Sequence, residues 1–195
     1  MLNFDWLRCG FGTRDSGLPQ GAVASVQQIH SSKVVRADTA GVQGQADGLI
    51  SNTAGLLLAI RTADCFPVLL ADPQNRAVAA VHAGWRGVAG GIVPVAIDAM
   101  RAAFGTRASD VHIAIGPGIG PCCFEVGPEV ALQFGREGRV KLDLAGEIAR
   151  QSGVPQEQVH LAHLCTFCDP VQFHSYRRDG AAAGRMTSYI GIRTA

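Results

Sequence analysis

The stretch GLLLAIRTADCFPVLLADPQNRAVAAVHAGWRG, residues 55–87, decides how this chain is built. Two short, continuous apolar runs, 55–60 and 66–70, have the length and composition of strands buried on both faces. Asp72-Pro73-Gln74-Asn75 has turn chemistry, since Pro presets φ and the Asp and Asn side chains bond their own backbone. Residues 76–81 then read as another strand, which makes 66–81 a hairpin. Cys65 stands just before it and His82 just after it, so the two side chains are expected at one end of one sheet.

Upstream, 22–29 reads as a strand ending on a polar tip, Gln27-Gln28-Ile29-His30. Downstream, 87–104 places Val88, Ile92, Val95, Ala96, Ala99 and Met100 at helical spacing, stopped by Gly105. Pro94 must kink that helix or move its start later. A strand is expected at 111–115, then the turn-rich Gly116-Pro117-Gly118-Ile119-Gly120-Pro121. A helix should begin near Pro128, and another over 144–151, capped by Asp143 and stopped by Gly153. Strands close the chain at 159–164 and 186–192. Helices and strands are mixed without strict alternation, which predicts an α+β fold with mixed sheets.

The 195 residues are 47% hydrophobic and 17% charged, and suit one domain, 1–195. Lys plus Arg number 17 against 16 Asp plus Glu, a net charge of +1. That balance predicts neither nucleic acid nor a membrane surface as partner, because both need clustered excess cations. A single phosphate remains within reach of two or three arginines. No apolar run spans a bilayer and the start lacks a secretion pattern, so the expected location is cytoplasmic. In a reducing compartment, cysteines beside histidines read as metal or catalytic groups rather than disulfides.

His30, Cys65 and His82 each end or follow a strand. Two imidazoles and a thiolate form a borderline-soft donor set suited to zinc, with copper possible, and three protein ligands leave a fourth position open. Each residue alone also has a plainer reading: a hydrogen-bonded histidine, a small buried cysteine. Asp64, beside Cys65, is the candidate catalytic carboxylate, or a turn residue. Arg14, Arg61 and Arg86 are candidates for holding an oxyanion, since a guanidinium pairs bidentately with one; each could equally be a salt-bridge partner. Gln28 is a further candidate for substrate contact. Of Cys122-Cys123, Cys122 is read as lining the pocket and its neighbour as packing. Cys165-x-x-Cys168 is read as structural for want of a second pair at usable spacing.

Four motifs in order, Gln27-Gln28-Ile29-His30, Arg61-Thr-Ala-Asp-Cys-Phe-Pro-Val, Val81-His-Ala-Gly-Trp-Arg-Gly and Gly116-Pro-Gly-Ile-Gly-Pro-Cys-Cys-Phe-Glu-Val, resemble the YfiH/YlmD family. Leu164-Cys-Thr-Phe-Cys and Ser175-Tyr-Arg-Arg-Asp-Gly look like its C-terminal motifs, and the resemblance covers residues 11–192. Members were first described as multicopper polyphenol oxidases and later as zinc-dependent purine nucleoside phosphorylases. The resemblance implies a four-layer α/β/β/α arrangement and zinc ligands at His30, Cys65 and His82. It also implies phosphorolysis of adenosine, inosine and methylthioadenosine, and deamination of adenosine, with a purine nucleoside and phosphate as small-molecule partners. Cys65 would then be essential to catalysis. Three rival readings stand beside it: a metal-independent Cys–His amidohydrolase, a copper oxidase acting on phenols, and a non-catalytic metal-binding module. Two departures from the family pattern are visible. The segment before the Gln-x-His strand is short, which would remove any pocket wall that segment contributes. His174 stands where an aromatic residue is usual and could add a polar contact.

Overall fold

A computed structural model describes residues 2–194. In chain order its first half comprises β1 (Leu7–Gly10), β2 (Ala22–Gln27), β3 (Val34–Arg36), β4 (Gly41–Gln45), β5 (Gly48–Ser51), β6 (Leu56–Thr62), β7 (Phe66–Asp72) and β8 (Ala77–Ala83). Then follow α1 (Trp85–Ala89), α2 (Ile92–Phe104), β9 (His112–Ile115), β10 (Glu125–Val126), α3 (Pro128–Ala131), β11 (Val140–Lys141), α4 (Leu144–Gln151), β12 (Val159–Leu161), α5 (Tyr176–Asp179) and β13 (Met186–Ile192). No helix among the described residues is long and apolar enough to cross a membrane.

The hairpin forms as expected: β7 and β8 pair antiparallel, Phe66 opposite Ala83 and Asp72 opposite Ala77. Its turn is held by the Asp72 carboxylate, which accepts from the Gln74 and Asn75 N–H groups and the Asn75 amide. This hairpin is central to a six-stranded sheet of order β12-β9-β7-β8-β5-β3, while β6 belongs to a five-stranded sheet of order β1-β13-β6-β2-β4. Both sheets mix parallel and antiparallel neighbours.

Alternate residues on the buried strands feed two different cores, as a period of two requires. Leu69, Ala71, Val78, Ala80 and Ala114 pack with Leu58, Ile60 and Ile190 of the five-stranded sheet, which places this core between the sheets. Val68, Leu70, Ala79, Val81 and Ile113 face the other way, against Ile92, Val93, Ala96, Met100 and Ile148 of the helices. The contacts therefore define three of the four layers expected: helices, six-stranded sheet, five-stranded sheet. Fully burying side chains such as Leu58, Leu69 and Ile60 stabilises by about 1.5–3 kcal/mol each.

Several expectations are corrected in detail. The single helix at 87–104 is two, broken at Gly91, whose φ of 70° lies in the left-handed region. Pro94 thereby falls in the first turn of α2, where its missing N–H costs nothing. Val95 points outward rather than into the core. The last strand before α5 stops at Leu161, because the chain turns there to pair loop with loop: the Gly118 N–H donates to the Leu164 carbonyl and the Thr166 N–H to the Gly118 carbonyl. α4 begins and ends as expected, with the Asp143 carboxylate accepting from the Gly146 N–H.

Candidate metal centre

The link 62–65 carries the chain from the five-stranded sheet into the six-stranded one, so Cys65 sits at the seam between them. Across the hairpin, His82 pairs with Pro67 and lies beside that seam. His30 reaches it from the turn after β2. The donor atoms of His30, Cys65 and His82 all lie within 4.8 Å of one another. The two imidazoles meet edge to face, centroids 4.8 Å apart. His30 is exposed, Cys65 half-buried and His82 buried.

The residue that assembles this group is Asp47, fully buried between β4 and β5. Its carboxylate accepts from the backbone N–H groups of Ile29, His30 and Ser31 and from the Ser31 hydroxyl. It also accepts from His82 Nδ1 at 2.8 Å. One side chain thus fixes the turn bearing His30, whose φ of 59° is unusual for a non-glycine residue, and the tautomer of His82. With Nδ1 donating, His82 Nε2 keeps its lone pair for a cation, the arrangement that orients most metal-binding histidines. Burial alone would raise the Asp47 pKa, but the hydrogen bonds from His82 and Ser31 hold it well below the usual carboxylate range.

Without a cation the electrostatics favour a thiolate beside an imidazolium, and a metal ion on His82 Nε2 would take the place of that proton. Burial works to raise the Cys65 pKa, yet hydrogen bonds from His30 and His82 bring it down to about 7. Burial likewise works to lower that of His82, and the Asp47 and Cys65 partners push it up to about 9. The site also has room by design of the sequence. A Cβ on Gly84 would stand 2.9 Å from Cys65 Sγ and 3.3 Å from the His30 ring. Sulfur and imidazole donors converging on one point, an outer carboxylate and a wall without a side chain at Gly84 together fit a cation with one protein-free position.

The group lies in a cleft of about 760 Å³ lined by Gln28, Arg61, Asp64, Phe124, Tyr176, Arg177 and Arg185, among others. That volume is in the range of small-molecule sites. Arg61 is the one exposed residue of β6, and its guanidinium makes no hydrogen bond or ion pair among the described residues. Gln28 lines the cleft but spends its amide on both backbone groups of Arg61, clamping β2 to β6. Asp64 also reaches the cleft, and both carboxylate oxygens are occupied: one by the Thr166 hydroxyl, the other by the Arg177 N–H, each at 2.6 Å. With φ at 83°, Asp64 is a knot tying the seam to the C-terminal loops.

Three candidates lie elsewhere. Arg14 does not line the cleft; it pairs with Asp179 at 3.6 Å and donates to the Phe173 carbonyl. Arg86, the second residue of α1, does not line the cleft and stacks on the Trp85 ring, 4.3 Å from its centroid. Cys122 faces the other three of Cys123, Cys165 and Cys168 rather than the cleft. His174 is covered by Gly184 and likewise does not line it. Arg178, in the C-terminal motif, is a buckle, donating to the Thr166, Phe167 and Phe173 carbonyls. Its neighbour Arg177 lines the cleft.

Against known proteins, the sequence profile of the multi-copper polyphenol oxidoreductase laccase family matches residues 12–193. A purine nucleoside phosphorylase of Deinococcus radiodurans is 40% identical over 180 residues, covering 87% of this chain and 70% of its own. The purine nucleoside phosphorylase YlmD of Geobacillus stearothermophilus is 36% identical, covering 86% and 71%. This chain belongs to the YfiH/YlmD family. The crystal structure of Geobacillus stearothermophilus YlmD superposes on this family member with a TM-score of 0.88 at 28% identity, covering 98% of this chain and 93% of that one. Bacillus licheniformis YfiH gives 0.87 at 26% identity, covering 97% and 94%. The mixed α/β fold of this YfiH/YlmD member is thus that of its relatives.

Proposed function

We propose that this protein is a zinc-dependent purine nucleoside phosphorylase, with His30, Cys65 and His82 as the metal ligands. What carries the reading is the placement of two imidazoles and one thiolate, oriented by Asp47, on the floor of a nucleoside-sized cleft rimmed by arginines. Its relatives' names point the same way. Zinc at this triad would supply Lewis-acid polarisation at its open fourth position.

The chain's own side chains divide the remaining work. Arg61, uncommitted and facing the cleft, holds the phosphate, and Arg177 and Arg185 add positive charge beside it. Phe124 and Tyr176 offer apolar faces for the purine. In phosphorolysis a phosphate oxygen bonds to the anomeric carbon while the bond to the purine nitrogen breaks, the purine taking the electron pair. Holding the two reactants in line is the larger part of such catalysis. Arg61→Ala should raise KM for phosphate about tenfold, equivalent to ~1.4 kcal/mol, with a smaller change in kcat.

Deamination of adenosine is the second activity we assign to the same cleft. There Asp64 is the carboxylate that lines the cleft, and to move a proton it must release the bond from Thr166 or from Arg177. Purine release from inosine with and without phosphate, alongside ammonia release from adenosine, tests both activities. Phosphate-dependent release abolished by chelation supports the proposal; wild-type protein loaded with zinc that releases no base overturns it.

One observation favours a second reading. Without a cation, Cys65 at about 7 and His82 at about 9 make a thiolate–imidazolium pair, the starting state of a cysteine nucleophile. Turnover of an amide substrate that survives chelation and is stopped by iodoacetamide selects that reading. A copper oxidase fits less well, since the triad offers one copper position and phenol oxidation coupled to oxygen uses several.

A further inference from the structure

Behind the wall of the cleft, four cysteines meet. Cys122 and Cys123 come from the turn after the Gly/Pro loop, Cys165 and Cys168 from the loop after β12, and their sulfurs all lie within 4.8 Å of one another. Cys168 Sγ is 3.6 Å from that of Cys122 and 3.4 Å from that of Cys123. None is in a disulfide. We propose that these four thiolates bind a second metal ion, a structural zinc, independent of the triad.

The geometry carries the argument. Zinc–thiolate bonds of about 2.3 Å in a tetrahedron put sulfurs roughly 3.8 Å apart. The two spacings from Cys168 are within a few tenths of that edge and far beyond the ~2.05 Å of a disulfide, and the remaining sulfurs stay within 4.8 Å. Adjacent cysteines seldom share one ion, but here the chain turns tightly between them, the Cys123 and Phe124 N–H groups both donating to the Gly120 carbonyl. That turn brings both sulfurs to the same side. The surroundings are those of a bound thiolate cluster. The Gly120 N–H donates to Cys165 Sγ at 3.3 Å, the outer hydrogen bond that steadies a metal-bound sulfur. Lys141 and Arg177 hold their charges at the Cys122 and Cys123 carbonyls, beside a centre that would carry net negative charge. Four thiols packed this closely resist ionising together, and a dication removes the conflict. Four sulfur donors and no open position mark a structural site, with iron the main competitor for the same tetrahedron.

The position gives the ion a purpose. The two loops are joined by a short backbone ladder, with Gly118 bridging to Cys165, and by the Gly120 N–H on Cys165 Sγ. Ile119 and Phe124, on the first loop, line the cleft, and Thr166, on the second, holds Asp64. A zinc at the four thiolates would lock both loops and, through them, the cleft wall.

Metal content by mass spectrometry, on protein purified without chelator from zinc-supplemented cells, tests this separately from the triad. Wild type should hold two zinc ions per chain. Cys65→Ala/His82→Ala should keep one, and its cobalt-substituted form should show the intense visible bands of a tetrathiolate ion. Cys165→Ser/Cys168→Ser should also keep one, with those bands gone. If the second variant does not fold, the first still decides, because all its bound metal must sit on the four thiolates. A Cys65→Ala/His82→Ala protein that holds no metal, or that shows these four cysteines paired as disulfides, overturns the proposal. Iron in place of zinc in that variant overturns the choice of ion. Wild-type protein that holds both zinc ions yet turns over no nucleoside would count against the proposed activity and leave this site standing.

Discussion

The triad and the thiol cluster are built in opposite ways. The triad draws one donor each from the turn after β2, the link between sheets and the end of β8, mixes nitrogen with sulfur, and opens onto a cleft. The cluster draws two donors from each of two loops, is all sulfur, and none of its cysteines lines that cleft. Three mixed donors on rigid strand ends leave a cation accessible to a substrate; four thiolates on irregular backbone enclose it and stiffen what they join. The support differs as well. A buried carboxylate organises the triad, whereas the cluster has only backbone N–H groups and the reach of two flexible cations around it.

The sharpest way to break this contrast is Cys65→Ala. Nucleoside turnover should fall to background and the triad's metal should be lost, while circular dichroism and the thermal transition remain those of a folded chain, since Cys65 lies outside both apolar cores. Metal retained at the triad in that variant would contradict the ligand assignment.

Asp47→Asn comes next. Removing an outer partner of a metal-binding histidine lowers affinity by about 10–100-fold, and here it also leaves the buried His82 without its counter-charge, a loss of about 3 kcal/mol or more. The pH dependence has a definite sign. Asp47 is held below its ordinary value of 3.8, so its contribution is complete above that pH and is lost as pH falls toward the folded-state value. Denaturant unfolding from about pH 5 down to about pH 2 should show a steep acid limb in wild type and a shallower one in Asp47→Asn.

Gly84→Ala is a finer probe. Its Cβ would press on Cys65 Sγ and the His30 ring, so overpacking of about 1–3 kcal/mol is expected, concentrated on metal affinity measured by competition with a chromophoric chelator. The thiol cluster's ion should be untouched. Smallest is Arg14→Ala. It removes a partly exposed ion pair with Asp179, worth about 0–1 kcal/mol, and should leave KM for phosphate unchanged, in contrast to Arg61→Ala.

Much of this was legible in the residues themselves. The hairpin, a helix closed by Gly105, the Asp143 cap and the last strand follow from local periodicity and turn chemistry, which act over a few residues. Asp47 left no such signal: in Ala46-Asp47-Gly48 it reads as an ordinary turn residue, and the short strands β3, β4 and β5 around it carry too few residues for a pattern. Arg14 and Arg86 stand near the motifs along the chain, and nearness along a strand or helix end says nothing about which side of it a long side chain takes.

By itself, then, the sequence determined which donors the chain possesses, which of its segments are buried strands, and that His30, Cys65 and His82 stand at strand ends. Tertiary structure alone decided that one buried carboxylate serves two of those ligands, that Asp64 is tied down by partners 102 and 113 residues away, and that two cysteine pairs more than forty residues apart share one point. The reason is physical. Propensity and period are short-range properties, while the meeting of distant loops depends on how two sheets stack and where the chain crosses between them, which no local window contains.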